Sequence, residues 1–129
     1  MFKVIQTNKV ASPLGPYVQG SIFNNIMFIS GQIGLNKKYN FLNKNITEET
    51  MFILNNINHI LQEGEFKVNN IIKTTVYVTD IHDLKKINIA YENFFLNHNS
   101  KFPTRSCVQV VNLPYGANLE IEAIAMKNL

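Results

Sequence analysis

The segment KFPTRSCVQVV, residues 101–111, sets a guanidinium and the chain's single thiol two residues apart in a stretch that otherwise reads as a strand. In an extended chain positions i and i+2 share a face, so Arg105, Cys107, Gln109 and Val111 project to one side, opposite Ser106, Val108 and Val110. A guanidinium there either makes a structural ion pair with Glu120 or Glu122, or offers its planar fork to a carboxylate. Cys107 is either a packed small residue or a nucleophile, and no sequence-adjacent histidine is present to draw off its proton. In LEIEAIA, residues 119–125, Leu119, Ile121, Ala123 and Ala125 alternate with Glu120, Glu122, Ile124 and the following Met126. Partial burial and the nearby Glu122 would each raise the Glu120 pKa, as suits a proton shuttle, and Arg105 would lower it. The sequence leaves the net sign open.

Three further residues carry polar groups at positions of interest. Ser30 and Gly31 lie in FISGQIG, as a strand-end hydroxyl and a bulge or turn glycine, or as parts of a site. Tyr17 follows SPLGP, whose prolines stiffen the chain and hold the ring in place, whether as an interface aromatic or as a cleft wall. His59, His82 and His98 lack metal-ligand spacing, and GQIG lacks the strand-to-helix context and Lys-Ser/Thr ending of a phosphate loop, so neither a metal nor a nucleotide cofactor is expected.

The elements that must position these residues follow from periodicity. Lys3–Gln6 reads as a short strand. Val18–Phe23 and Ile26–Gly31 read as a hairpin about Asn24-Asn25, a pair that tolerates positive φ. Gly34–Asn45 is polar and loop-like. From Thr47, apolar Ile53, Leu54, Ile57, Ile60 and Leu61 recur at helical spacing, with Gly64 as the stop. Ile71–Thr79 is rich in β-branched residues and reads as a strand. A second helix opens at His82 or Asp83, with Leu84, Ile87, Tyr91, Phe94 and Phe95 on one stripe and Asn88 beside it. Thr104–Val111 and Ala117–Met126 read as a closing hairpin around Leu113-Pro114-Tyr115-Gly116, which predicts position 107 near 121, 105 near 123, and Cys107 close to Glu120. These elements predict an α/β (α+β) two-layer domain with both helices on one sheet face. The other face, part charged and part apolar, predicts a homo-oligomer.

At 129 residues the chain fits one domain, residues 1–129. With 46% hydrophobic and 16% charged residues it falls among globular chains, outside the disordered and membrane classes. A net charge of +3 spread over dispersed lysines lacks the clustered basic stripe of a nucleic-acid binder. A lone cysteine and an N-terminus without a charged-then-apolar pattern lead to the expectation of a cytoplasmic protein.

Taken together and in order, GPYVQG (15–20), SGQIG (30–34), KTTVYVTD (73–80), FPTRSCVQV (102–110) and LEIEAIA (119–125) resemble the RidA family of reactive intermediate deaminases, also called the YjgF family. The resemblance spans nearly the whole chain. It implies a chorismate-mutase-like fold and a homotrimer with three clefts between subunits. It further implies hydrolysis of 2-imino acids and their enamine tautomers, such as 2-iminobutanoate and 2-iminopropanoate from pyridoxal-phosphate enzymes, to 2-oxo acids and ammonia without a cofactor or metal. On the matching positions, Arg105 would grip the substrate carboxylate with help from the Gly31 N–H. Glu120 would position the attacking water and assist proton transfer. Cys107 would line the pocket and use main-chain groups, and Tyr17, Ser30 and Asn88 would line or support the cleft. Departures from the family pattern are Gly34 for a common Pro, Glu49 for a common Gln, Tyr115 for a common Lys, and the turn pattern of the 37–45 loop.

Two other readings come from different classes. One is an endoribonuclease or translation inhibitor, a label some relatives carry; the other is a noncatalytic small-carboxylate binder or chaperone-like protein.

Overall fold

The computed structural model describes residues 1–40 and 45–128. Six strands form one sheet: β1 (Lys3–Ile5), β2 (Gly20–Phe23), β3 (Ile26–Gln32), β4 (Ile71–Val78), β5 (Thr104–Gln109) and β6 (Leu119–Met126), in the order β1-β2-β3-β6-β4-β5. Two helices, α1 (Ile46–Glu63) and α2 (Leu84–Asn97), pack on one face, giving the two-layer architecture read from periodicity. Residues 41–44 of the 34–45 loop lie outside the described residues.

Local chemistry sets the element ends. Asn24 takes a left-handed φ of 55° in the β2–β3 turn. The Asn45 side chain caps α1 by accepting from the Glu48 N–H, satisfying one of the donors that a helix start leaves free. Gly64 ends α1, although its φ is −87° and the left-handed residue is the next one, Glu65. Space is tight at 64: a Cβ there would lie 3.0 Å from Ile22 Cδ1 and 3.1 Å from Met27 Sδ, so both side chains would have to shift.

The core lies between the helices and the sheet. Ile53, Leu54, Ile57, Ile60 and Leu61 of α1 and Ile87, Tyr91, Phe94 and Phe95 of α2 meet Met27, Ile29, Val76, Val78, Leu119, Ile121, Ala123 and Ala125. The alternation along β6 is as read from the sequence, with its apolar residues buried and Glu120, Glu122 and Ile124 half-buried on the open face.

The closing hairpin is overturned. β5 pairs with β4 in parallel, β4 pairs with β6 antiparallel, and β5 and β6 are not neighbours. The register survives with a strand inserted: Cys107 faces Val76, which faces Ile121, and Arg105 faces Thr74, which faces Ala123. Each such pair therefore stands two strand spacings apart, about 10 Å. Parallel pairing of β4 and β5 is made possible by α2, which returns the chain to the starting end of the sheet.

Candidate active site

Cross-strand partners share a face, so Arg105 and Cys107, in register with buried Thr74 and Val76, lie on the helix side of the sheet. Glu120, in register with Tyr77, lies on the open side. The expected proximity of Cys107 and Glu120 within one chain is therefore also overturned. The site residues fall into two groups, one on each side of the sheet.

The first group surrounds Arg105. Its Nη1 donates to Asn88 Oδ1 at 2.8 Å, and its guanidinium carbon stands 4.9 Å from the centre of the Tyr91 ring. Tyr91 is itself fixed by a 2.6 Å hydrogen bond between its hydroxyl and that of Thr74. The cation is thus held by an amide and a ring face. Asn88, Tyr91, Glu92, Phe102, Pro103 and Arg105 line a hollow of about 280 Å³. Arg105 forms no ion pair with Glu120 or Glu122 of its own chain, and most of the guanidinium fork is left open. Cys107 packs against the core below. Burial pushes its thiol pKa up and Arg105 pulls the other way, with burial the larger effect, so the sulfur stays a thiol.

The second group surrounds Glu120. A bulge in β3 between Ile29 and Gln32 sets Ser30 and Gly31 out of step with β6. Gly31 there lies against the Glu120 side chain so closely that a Cβ would sit 2.6 Å from Cδ and 2.7 Å from Oε2. Ser30 Oγ donates to Val18 O at 2.6 Å, and its N–H donates to Gln19 O, tying the bulge to the segment that carries Tyr17. Tyr17, Gly31, Tyr115 and Glu120 line a hollow of about 80 Å³. Burial, and then the neighbouring Glu122, raise the Glu120 pKa. The sign that sequence left open is upward in the single chain, because Arg105 stands on the other face. Glu122 accepts a 2.7 Å hydrogen bond from the Tyr77 hydroxyl.

Some positioning residues carried no weight in the sequence. Gln19, buried at 3% exposure, donates from Nε2 to Thr7 O and Ala11 O and accepts from the Thr7 N–H, so one side chain folds the 7–19 segment into the wall of the Glu120 hollow. It sits inside GPYVQG, and a polar residue between apolar positions is the available signal. Tyr91 reads as core stripe and is also the floor under Arg105. Glu49, 2% exposed, accepts from the Asn118 main-chain N–H and Nδ2, which anchors the entry to β6 two residues before Glu120. Two of the departures touch each other, since a Cβ at Gly34 would lie 2.9 Å from Glu49 Cγ. Among the described residues no three His, Cys, Asp or Glu side chains converge as a metal site, and no helix is long and apolar enough to cross a membrane.

Comparison with known proteins places the chain in a family and supports its fold. The family model described as Endoribonuclease L-PSP matches residues 7–127. A RutC family protein of Buchnera aphidicola subsp. Baizongia pistaciae is 46% identical over 128 residues, covering 99% of both chains. The 2-iminobutanoate/2-iminopropanoate deaminase of Escherichia coli K12 is 41% identical over 127 residues, covering 98% of this chain and 99% of that one. Among solved structures, E. coli TdcF with bound serine superposes with a TM-score of 0.94 at 39% identity, covering 98% of this chain and 99% of the other. With near full-length similarity in sequence and in fold, the chain belongs to the RidA (YjgF) family, to which the Endoribonuclease L-PSP model corresponds.

Proposed function

We propose that this protein hydrolyses small 2-imino acids, 2-iminobutanoate and 2-iminopropanoate, to 2-oxo acids and ammonia, in clefts formed between copies of the chain. The observation that carries the reading is the separation of Arg105 and Glu120. Each lies in its own shallow hollow on opposite sides of one sheet, so a cleft that uses both takes the Arg105 half from one copy and the Glu120 half from the next. A ring of such head-to-tail contacts closes as a homotrimer. It would also cover the exposed apolar side chains of the open face, Phe28, Val108 and Met126.

In that cleft the free fork of Arg105, oriented by Asn88 and Tyr91, binds the substrate carboxylate through two hydrogen bonds, with the Gly31 N–H assisting. Bound serine in the E. coli relative is a ligand with such a carboxylate. The imine carbon, electrophilic in its protonated form, then stands where water held by Glu120 can reach it. As the water oxygen bonds to carbon, Glu120 takes a water proton. The resulting carbinolamine nitrogen receives that proton, and as the C–N bond breaks the remaining hydroxyl proton passes back to the Glu120 carboxylate, giving the 2-oxo acid and ammonia. A carboxyl with a raised pKa suits both directions of transfer. Tyr17 and Ser30 hold the wall on the Glu120 side, and Cys107 packs beneath the Arg105 side as a thiol. No step calls on a metal or a cofactor.

A coupled assay tests the reading. Threonine dehydratase releases the imine from threonine, semicarbazide traps it, and the protein is added as wild type or Arg105→Ala. Less semicarbazone with wild type and no change with the mutant is the expected result. No effect from a folded wild-type protein would overturn the deaminase reading and return the cleft to ligand binding or to RNA.

A further inference from the structure

We propose a second binding site for a small organic phosphate, beside the Glu120 half of the deaminase cleft, with which it shares Ala11 and Leu35 as a common wall. A hollow of about 520 Å³, larger than either half-site, opens between the 9–11 segment, the 35–38 turn and one face of α1. Its volume falls within the range of small-molecule pockets, roughly 300–1,000 Å³.

The lining has one sign of charge. Lys9, Lys37, Lys38 and His59 contribute cationic or hydrogen-bonding heads, and none of the lining residues is acidic. The turn that presents Lys37 and Lys38 is fixed by Asn36. Asn36 Oδ1 accepts from the Lys38 N–H at 2.9 Å and the Asn40 N–H at 3.0 Å, and the Asn36 main chain exchanges hydrogen bonds with Tyr39 and Asn40. Adjacent ammonium groups on a fixed turn, beside a hollow with no acidic lining residue, attract a multiply charged anion more than a single carboxylate, and lysine is a common phosphate ligand.

The wall also carries polar side chains. Asn56 lines the hollow, and its amide reaches the open space there rather than bonding to a described residue. His59 Nδ1 is buried and likewise has no partner. Buried polar groups are rarely left unpaired, and an unmade hydrogen bond there is unfavourable. A ligand that places a polar edge beside Asn56 would meet an amide free to donate and accept there. Phe52, Val10 and Leu35 complete the lining with an aromatic ring and two aliphatic side chains, a surface for a flat or apolar body. The ligand these groups describe has a phosphate for the lysines and a planar body with hydrogen-bonding edges for Phe52 and Asn56. The deaminase substrate, a small monoanion, is of another class.

Adenosine monophosphate serves as the probe, titrated into the full-length protein by calorimetry and by amide NMR shifts. Saturable binding with a Kd of about 1 mM or below is expected, with shifts centred on residues 9–11, 35–38 and 52–59. Lys37→Gln combined with Lys38→Gln, both exposed side chains, is expected to weaken binding about tenfold and to leave imine hydrolysis unchanged. The isosteric Asn56→Asp, which sets a carboxylate in the wall, is expected to abolish binding in a folded protein. Arg105→Ala is expected to bind the probe as wild type does. Loss of binding in Arg105→Ala would place the anion in the deaminase cleft and overturn the proposal. So would no saturation, affinity unchanged in the lysine variant, or equal affinity for inorganic phosphate or adenosine alone.

Discussion

Replacing Gly31 with alanine tests the proposed role of Glu120 without touching any of its atoms. An added methyl would stand 2.6 Å from Glu120 Cδ, 2.7 Å from Oε2 and 2.9 Å from Cγ. Ordinary carbon contacts begin near 3.5 Å, so the carboxylate must retreat by about 1 Å. Gly31 does not have a positive φ, so alanine there meets no backbone strain. The atoms in the way are the end of a flexible side chain, and an off-rotamer adjustment costs about 0.5–1.5 kcal/mol. A misplacement of about 1 Å in a reacting group, by contrast, lowers rates by roughly 100-fold, or about 2.7 kcal/mol of barrier. Gly31→Ala should therefore lose nearly all semicarbazone suppression in the coupled assay, with a Tm lowered by only a few degrees. Since the methyl acts through Glu120, it should have no further effect on rate in a Glu120→Ala background. Wild-type turnover by Gly31→Ala, or additive losses in the double variant, would refute the assignment of Glu120 as the proton-handling group.

Four other outcomes follow from the same geometry. Under the proposal that each cleft takes its two half-sites from different copies, unfolding and refolding an equal mixture of inactive Arg105→Ala and Glu120→Gln chains should restore intact clefts at about a quarter of the interfaces; a mixture that stays inactive while folded would place the site within one chain. Asn88→Ala frees the Arg105 fork by removing one hydrogen bond to a charged group, so KM should rise about fivefold with a smaller change in kcat. In an Arg105→Ala background, where no partner guanidinium faces it, Glu120 keeps its raised pKa from burial and Glu122. The folded chain then holds that proton to higher pH than the unfolded chain, and the associated stability is present at low pH and lost as pH rises through the folded pKa. Glu120→Gln in that background should gain Tm relative to its parent as pH climbs from the ordinary carboxylate range to neutrality, and a difference independent of pH would count against the shift. Glu49→Ala removes both acceptors of Asn118 at a site 2% exposed, a loss of about 2 kcal/mol that thermal unfolding should register as a Tm lower by roughly 5–10 °C.

The elements were legible because their signals are local. Alternation along β6 and the helical recurrence from Ile53 to Leu61 follow from covalent geometry, which sets side chains at periods of two and 3.6 whatever the rest of the chain does. The family motifs are also read in one dimension; they contain Arg105, Glu120, Tyr17, Ser30, Gly31 and Cys107, and the resemblance added Asn88 as a matching position. The error lay in the link between β5 and β6. Its Leu113–Gly116 stretch has the residues of a hairpin turn, and it does turn tightly, with Tyr115 at φ 60° and Gly116 at φ 71°. Yet residues 110–118 can reach roughly 30 Å when extended, enough to pass over a strand. Nothing in the spacing distinguishes a link that turns back beside its own strand from one that crosses β4.

The sequence by itself therefore determined the elements, the layer that each amphipathic face would join, the family, and which residue types were available for chemistry. Tertiary structure alone decided that β4 lies between β5 and β6, and with it that Arg105 and Glu120 project from opposite sides of the sheet. It also decided that Gln19 and Glu49, polar yet buried, brace the walls and that Gly31 is a contact surface for a carboxylate. The physical reason is one of range. A residue's direction from the backbone is set by its own dihedrals, whereas the strand beside it and the face it shares with distant residues are set by which long-range pairing buries the most apolar surface with every backbone hydrogen bond made.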